Sequence, residues 1–230
     1  AMAGVILVEP NDLPDTAAVT GEVNLVGMSN GQTGVASGIL QGYFDKIKGF
    51  NWRVQGTYKK GGTIKTPTYY LKNTGVEEQN FSYALGYHRK NWGIEGYYSQ
   101  FNTKIGIFSG AHIGNLTDLK NAFNAQKPQD SLATFTYDID RPYQDISHEL
   151  AKGKFHLHLA PRWIANLQYA YQYNIRKEYD KHPPLNNALA ALNKPELDYR
   201  ITSQTIDLVI EHLNIKSFRG QFGGSYMNQK

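Results

Sequence analysis

The chain has no cysteine among its 230 residues. That excludes disulfide scaffolds, thiolate metal sites and cysteine nucleophiles together. It also has no apolar run long enough for a transmembrane helix, and its mean hydropathy is -0.51. Only helical spans are excluded, because a membrane barrel alternates apolar and polar residues and averages out as hydrophilic. Ala1-Met2-Ala3 lacks the basic start and apolar core of a signal peptide and reads as an internal cut or an added tail. An acidic excess is missing too. The formal charge is +4 and the pI about 9.0. Basic chains bind nucleic acid when cations alternate with stacking aromatics. Here the cations gather at strand ends and turns, as in Lys46/Lys48, Lys59/Lys60, Arg89/Lys90 and Arg176/Lys177, so no nucleic-acid partner is expected.

What is abundant is tyrosine, with 16 residues in an aromatic content of 13%. Trp163 to Arg176 shows how it is used. Odd positions carry Trp163, Leu167, Tyr169, Tyr171, Tyr173 and Ile175, and even positions carry Asn166, Gln168, Gln172, Asn174 and Arg176. A strand sends successive side chains to opposite faces, so the segment has one aromatic and one amide-rich face. A helix would scatter the same aromatics round its cylinder. The segment also exceeds an ordinary strand and meets the roughly 9–11 residues of a membrane-crossing one.

The same alternation recurs along the chain. After a short apolar run, Gly4 to Pro10, and a Pro/Asp/Asn linker to Thr16, long strands are expected from about Ala18 to Met28. The next run from Thr33 to Phe44, Asn51 to Lys59, Phe81 to His88 and Trp92 to Asn102. The last are Gln144 to Leu159, Trp163 to Arg176, Tyr199 to His212 and Ile215 to about Met227. Ser29-Asn30-Gly31-Gln32 predicts a tight first hairpin. Gly34, Gly38 and Gly42 share one strand face and predict close packing against a neighbour. Short helical turns are expected at Leu116 to Ala125 and Leu185 to Leu192. After the first hairpin the connections alternate short and long. In an up-and-down antiparallel sheet that puts the short turns on one rim and the long loops on the other. Outer-membrane barrels are built so, with about nine strands expected here, and a sandwich has no reason to sort its loops.

Several blocks are more specific than alternation: G-V-I-L-V-E-P (4–10), N-L-V-G-M-S-N-G (24–31), Y-Y-L-K-N-T-G-V-E-E-Q-N-F-S (69–82), Y-S-Q-F-N-T-K-I-G-I-F-S-G (98–110), H-I-G-N-L-T-D-L (112–119) and R-P-Y-Q-D-I-S-H (141–148). Through them the chain resembles part of a TonB-dependent receptor, an outer-membrane transporter of Gram-negative bacteria, in its Bacteroidetes form. The resemblance implies that residues 1–17 hold the end of a plug domain and its linker, and that 18–230 begin the barrel. It also implies that plug body, TonB box and remaining strands lie elsewhere, so that this fragment needs detergent or association. The implied partners are outer-membrane lipid, a ferric siderophore or another bulky nutrient, and the TonB-ExbB-ExbD complex acting through the absent plug. No cofactor and no enzymatic activity are implied.

Two sets of site residues follow. Arg53, Gln55, Lys59, His88, Lys154, His156, Asn166, Gln168 and Gln172 are expected to face the lumen. Loop aromatics and their polar neighbours, Tyr69, Tyr70, Phe108, His112, Arg141 and Tyr143, are candidates for ligand contact, with Phe101 nearby. His156-x-His158 would suit a metal pair, but Lys152 and Lys154 on the same face oppose a cation. Ser147 and His148 are strand neighbours that point apart, which spoils a nucleophile-base pair. The rival reading is a soluble β-sandwich that binds carbohydrate through Tyr and Trp. It would bury the Trp163/Leu167/Tyr169/Tyr171 face against a second sheet, whereas a barrel would expose it.

Overall fold

The computed structural model describes residues 11–15, 18–44, 46–108, 110, 115–128, 130–181, 193–215 and 218–230. The expected strand at 4–10, the turn at 185–192 and His112 lie outside them. Nine long strands form one antiparallel sheet: β1 (Thr20–Met28), β2 (Thr33–Tyr43), β3 (Phe50–Gly61), β5 (Val76–His88), β6 (Trp92–Gly106), β8 (Tyr143–Ala160), β9 (Trp163–Tyr179), β10 (Leu197–Ile215) and β11 (Phe218–Gln229). Their order in the sheet is their order in the chain. Among the described residues β1 and β11 have no partner on their outer edges, so the sheet is open. A two-stranded ribbon, β4 (Tyr70–Leu71) with β7 (Ser131–Leu132), joins two of the long loops. The helix α1 (Leu116–Asn124) starts where its sequence predicts, because the Asn115 side chain accepts from the Asp118 amide.

The strands outrun their predicted ends on the long-loop side. β5 begins at Val76, β6 continues to Gly106 and β9 to Tyr179. V-E-E-Q-N (76–80) shows why: both of its faces are polar, so no alternation marks it as strand. The first hairpin also departs from expectation. Its Asn-Gly lies in a 3-10 turn, Asn30–Gln32, with Gly31 at φ 74°. That turn shares the rim of the long loops, where the Gly62 amide donates to the Gly31 carbonyl.

Continuous register fixes which residues share a face. One face carries Leu40, Val54, Leu85, Ile94, Phe155, Leu167 and Leu208. The other carries Arg53, Gln55, Ser82, Ser99, Lys152, Gln172 and Ser203. The apolar face is the open one. Phe81 is 45% exposed, Leu85 46% and Tyr169 46%, while Tyr143, Ala170 and Tyr179 are the only buried apolar side chains described. Among the described residues these three do not make up a continuous hydrophobic core, which inverts the arrangement of a soluble domain.

The expected packing of the Gly34, Gly38 and Gly42 face is corrected. A Cβ at Gly34 would meet nothing within 4 Å, and one at Gly38 only a carbonyl at 3.9 Å. Of the three, Gly42 alone is covered, by the Trp52 ring of the next strand. Among the described residues no further strand or helix packs on Gly34 or Gly38.

Candidate functional site

Strand alternation brings all nine predicted lumen residues to the polar face. Across β3, β5, β6, β8 and β9 they line a furrow in which side chains crowd. His88 stacks on His156 at 5.5 Å between centroids, and His88 Nε2 lies 3.3 Å from Glu95 Oε1. Gly93 makes the stack possible: a Cβ there would collide with the His156 ring and sit 2.7 Å from His88 Nδ1. Lys59 pairs with Glu78 at 2.9 Å, Asn166 donates to Glu211 at 3.1 Å and Gln168 to Asp207 at 3.5 Å. Lys154 is flanked in register by Glu95 and Gln168. The Glu95 carboxylate beside the Lys152/Lys154 stripe therefore comes from the neighbouring strand, where a single-strand reading missed it. Among the described residues no three His, Asp or Glu side chains converge as a metal site. Ser147 and His148 do point apart, Ser147 donating to Asn102 and His148 meeting Asn174.

The apolar face has order of its own. At the short-turn rim it is bordered by Phe44, Phe50, Trp52, Tyr87, Trp92 and Trp163, several in ring contact. All three tryptophans of the chain are in this group. Between them and the polar strand ends runs an apolar belt that crosses the sheet obliquely. Its centre is at Val23 and Leu25 on β1 and at Leu208 on β10. Following the register from Leu25 through Ala36, Tyr58, Gln79, Asn102, Ser147 and Ile175 leads to Arg200, eight residues short of Leu208. From Val23 the same path leads to Thr202, six residues short, so an offset of six to eight residues at about 3.3 Å over seven strand spacings of about 4.8 Å gives a slant of roughly 31–38°. On the loop side of the belt one register row alternates in sign: Lys60, Glu77, Lys104, Asp145, Lys177 and Asp198. Such opposite pairs stabilise a sheet by about 0.2–1 kcal/mol each.

Beyond that row the loops are fastened to one another. Asn73, 2% exposed and at φ 59°, donates to the Ile107 and Pro142 carbonyls and accepts from the Asp140 amide. Arg141 donates to Glu196 Oε1 at 2.7 Å, to Asn193, and to the Asp180 and Lys194 carbonyls. Lys181 and Asp130 add an ion pair at 3.0 Å. Burial raises the Glu196 carboxyl, but the Asp180 amide and the Arg141 guanidinium outweigh it and hold the group below its ordinary value. Tyr137 donates to Gln32, and Asn30 bonds Lys65. All four loop-rim connections are thus cross-linked.

The ligand-contact candidates divide accordingly. Arg141 is committed to its loop partners. Tyr143 is 8% exposed, stacked on Tyr179 at 4.2 Å under the Lys104 ammonium. Each already has packing or bonds of the kind a ligand would supply. Phe101 is a strand residue on the polar face. Tyr69, Tyr70 and Phe108 remain partly exposed in the loops, with Lys127 near the Tyr69 ring and Lys65 near that of Tyr70. Sequence reasoning missed Asn73, which reads as an ordinary turn residue in Asn73-Thr74-Gly75.

No family model matches the chain, and no curated protein matches it either. Among the described residues no helix is long and apolar enough to cross a membrane.

Proposed function

We propose that this chain forms part of the wall of an outer-membrane TonB-dependent receptor that takes up a bulky nutrient such as a ferric siderophore. The observation that carries the reading is the exposed apolar belt, running obliquely across a sheet whose other face is polar. Membrane barrels tilt their strands by about 35–45° to the axis, and a belt set in the bilayer plane must then cross the register rows at that angle. The slant of roughly 31–38° overlaps the lower end of that range. An aromatic border at the short-turn rim is what interfacial girdles look like, and the short-turn rim is the periplasmic one in such barrels. On this reading the cross-linked loops face outward, and Tyr69, Tyr70 and Phe108 are their ligand-contact candidates. The furrow from Arg53 to Gln172 lines the lumen, with plug and remaining wall completing the channel and the TonB-ExbB-ExbD complex supplying the force.

The sandwich reading fares worse, since its second sheet is absent among the described residues and the aromatic face is bare. The test is uptake and location together. The protein should fractionate with outer membranes and leave them only in detergent. Cells lacking it should lose uptake of a ferric siderophore that their TonB mutants also fail to import. A monodisperse monomer in plain buffer overturns the wall, and unchanged uptake across a siderophore panel overturns that nutrient class.

A further inference from the structure

Residues 11–15 precede β1 and read as linker, yet residues 11–13 lie across the polar face and are fastened there. Arg53 holds them by the backbone: Nη1 donates to the Asn11 carbonyl at 2.8 Å and Nη2 to that of Asp12 at 2.7 Å. The remaining edge of the guanidinium is fixed from behind, Nε donating to Gln41 Oε1 at 2.8 Å. Such a planar fork matches two adjacent carbonyls, which a lysine cannot do. Leu13 is the second point of attachment. It rests over Gly86, where a Cβ would lie 2.9 Å from Leu13 Cδ1 and collide with Asn51 Oδ1. Both attachments read backbone or shape, so the sequence of the segment gives no warning of them.

The position of the segment has a consequence for the furrow. Three cavities of about 520, 610 and 680 Å³ open on the polar face, and Asp12 and Glu95 border all of them. The first lies towards Tyr97 and Lys152, the second towards Lys48 and His88, the third towards His156 and Asp207. We infer that residues 11–13 are a strap, latched by Arg53 and seated over Gly86, that divides the polar furrow into separate chambers. Unlatching merges them into one continuous surface. The strap stands on geometry alone, independent of what the wall transports.

Pulsed electron-spin resonance tests it, helped by the absence of native cysteine. Spin labels at Asp12→Cys and Thr202→Cys report strap against wall, and labels at Thr57→Cys and Thr202→Cys report wall against wall. The strap distance is expected to be single and narrow in the parent chain. Arg53→Ala should lower the latched fraction about tenfold or more, since two charge-assisted bonds are lost, and broaden only the strap distance. Arg53→Lys should fall between. If the wall distance also broadens, the fold has suffered, and Gly86→Ala, which disturbs the seat from the other side, decides instead. A broad strap distance in the parent chain overturns the inference, as does a narrow one that survives both Arg53→Ala and Gly86→Ala. The measurement reads position only, so a chain that imports nothing still decides it.

Discussion

The two faces of the sheet solve opposite problems with the same residues. On the polar face glycine is there because something else needs the space: Gly93 admits the His88–His156 stack and Gly86 admits Asn51 and Leu13. On the apolar face Gly34, Gly96 and Gly153 meet nothing within 4 Å, among tyrosines and leucines that are half exposed. A protein folding in water would crowd its apolar side and leave its polar side open. This one does the reverse, and the setting proposed above, lipid outside and a filled channel inside, would account for the inversion.

The largest effect that separates the faces should come from a charge. Leu85→Arg places a cation within the belt on β5 and is expected to cost about 2–4 kcal/mol in a bilayer, against a clearly smaller loss for Asn80→Arg on the polar face of the same strand. Urea unfolding from lipid vesicles measures both. Equal losses would erase the distinction.

Next comes the loop platform, which contrasts with the wall in being held by polar bonds. Asn73→Ala strips the Asp140 amide and the Ile107 carbonyl of this partner in a nearly buried site, while the Pro142 carbonyl keeps the Ile107 amide, and should cost about 2–3 kcal/mol. Asn73→Gly keeps the left-handed backbone and loses the bonds, so it should recover little. Protease cleavage within 107–142 is the readout. Gly93→Ala should cost about 1–3 kcal/mol through overpacking, whereas Gly153→Ala should be neutral or gain up to about 1 kcal/mol.

The smallest effect is in pH. The Glu196 carboxyl is held below its ordinary value, so its contribution is complete above the unfolded value near 4.3 and is lost as pH falls through the folded one. The Arg141–Glu196 attachment should therefore be constant from pH 7 to about 5 and weaken below about 4, by less than about 1 kcal/mol given its partial exposure. Hydrogen exchange at the Asp180 amide follows it, and Glu196→Gln should flatten the profile.

The wall was legible because its physics has a period of two. Arg53, His156 and Gln172 could be assigned to one side without knowing a single neighbour, since a one-residue slip would turn every leucine and tyrosine with them. Where both faces are wet, as at Val76 to Asn80, that signal vanishes and the strand ends were misplaced. Arg141 and Tyr143 have the chemistry of ligand contacts, and their partners Asn193, Glu196 and Tyr179 lie 36 to 55 positions away, beyond what a local reading sees. Asn73 and the strap at 11–13 were silent for a related reason: their bonds run to main-chain groups, which every residue type offers alike.

The central claim is that the apolar face meets lipid, and the three native tryptophans test it without any substitution. Trp52, Trp92 and Trp163 all lie on that face. In vesicles, brominated acyl chains should quench their emission strongly while aqueous iodide has little effect. Strong iodide quenching with no response to brominated lipid would contradict the account.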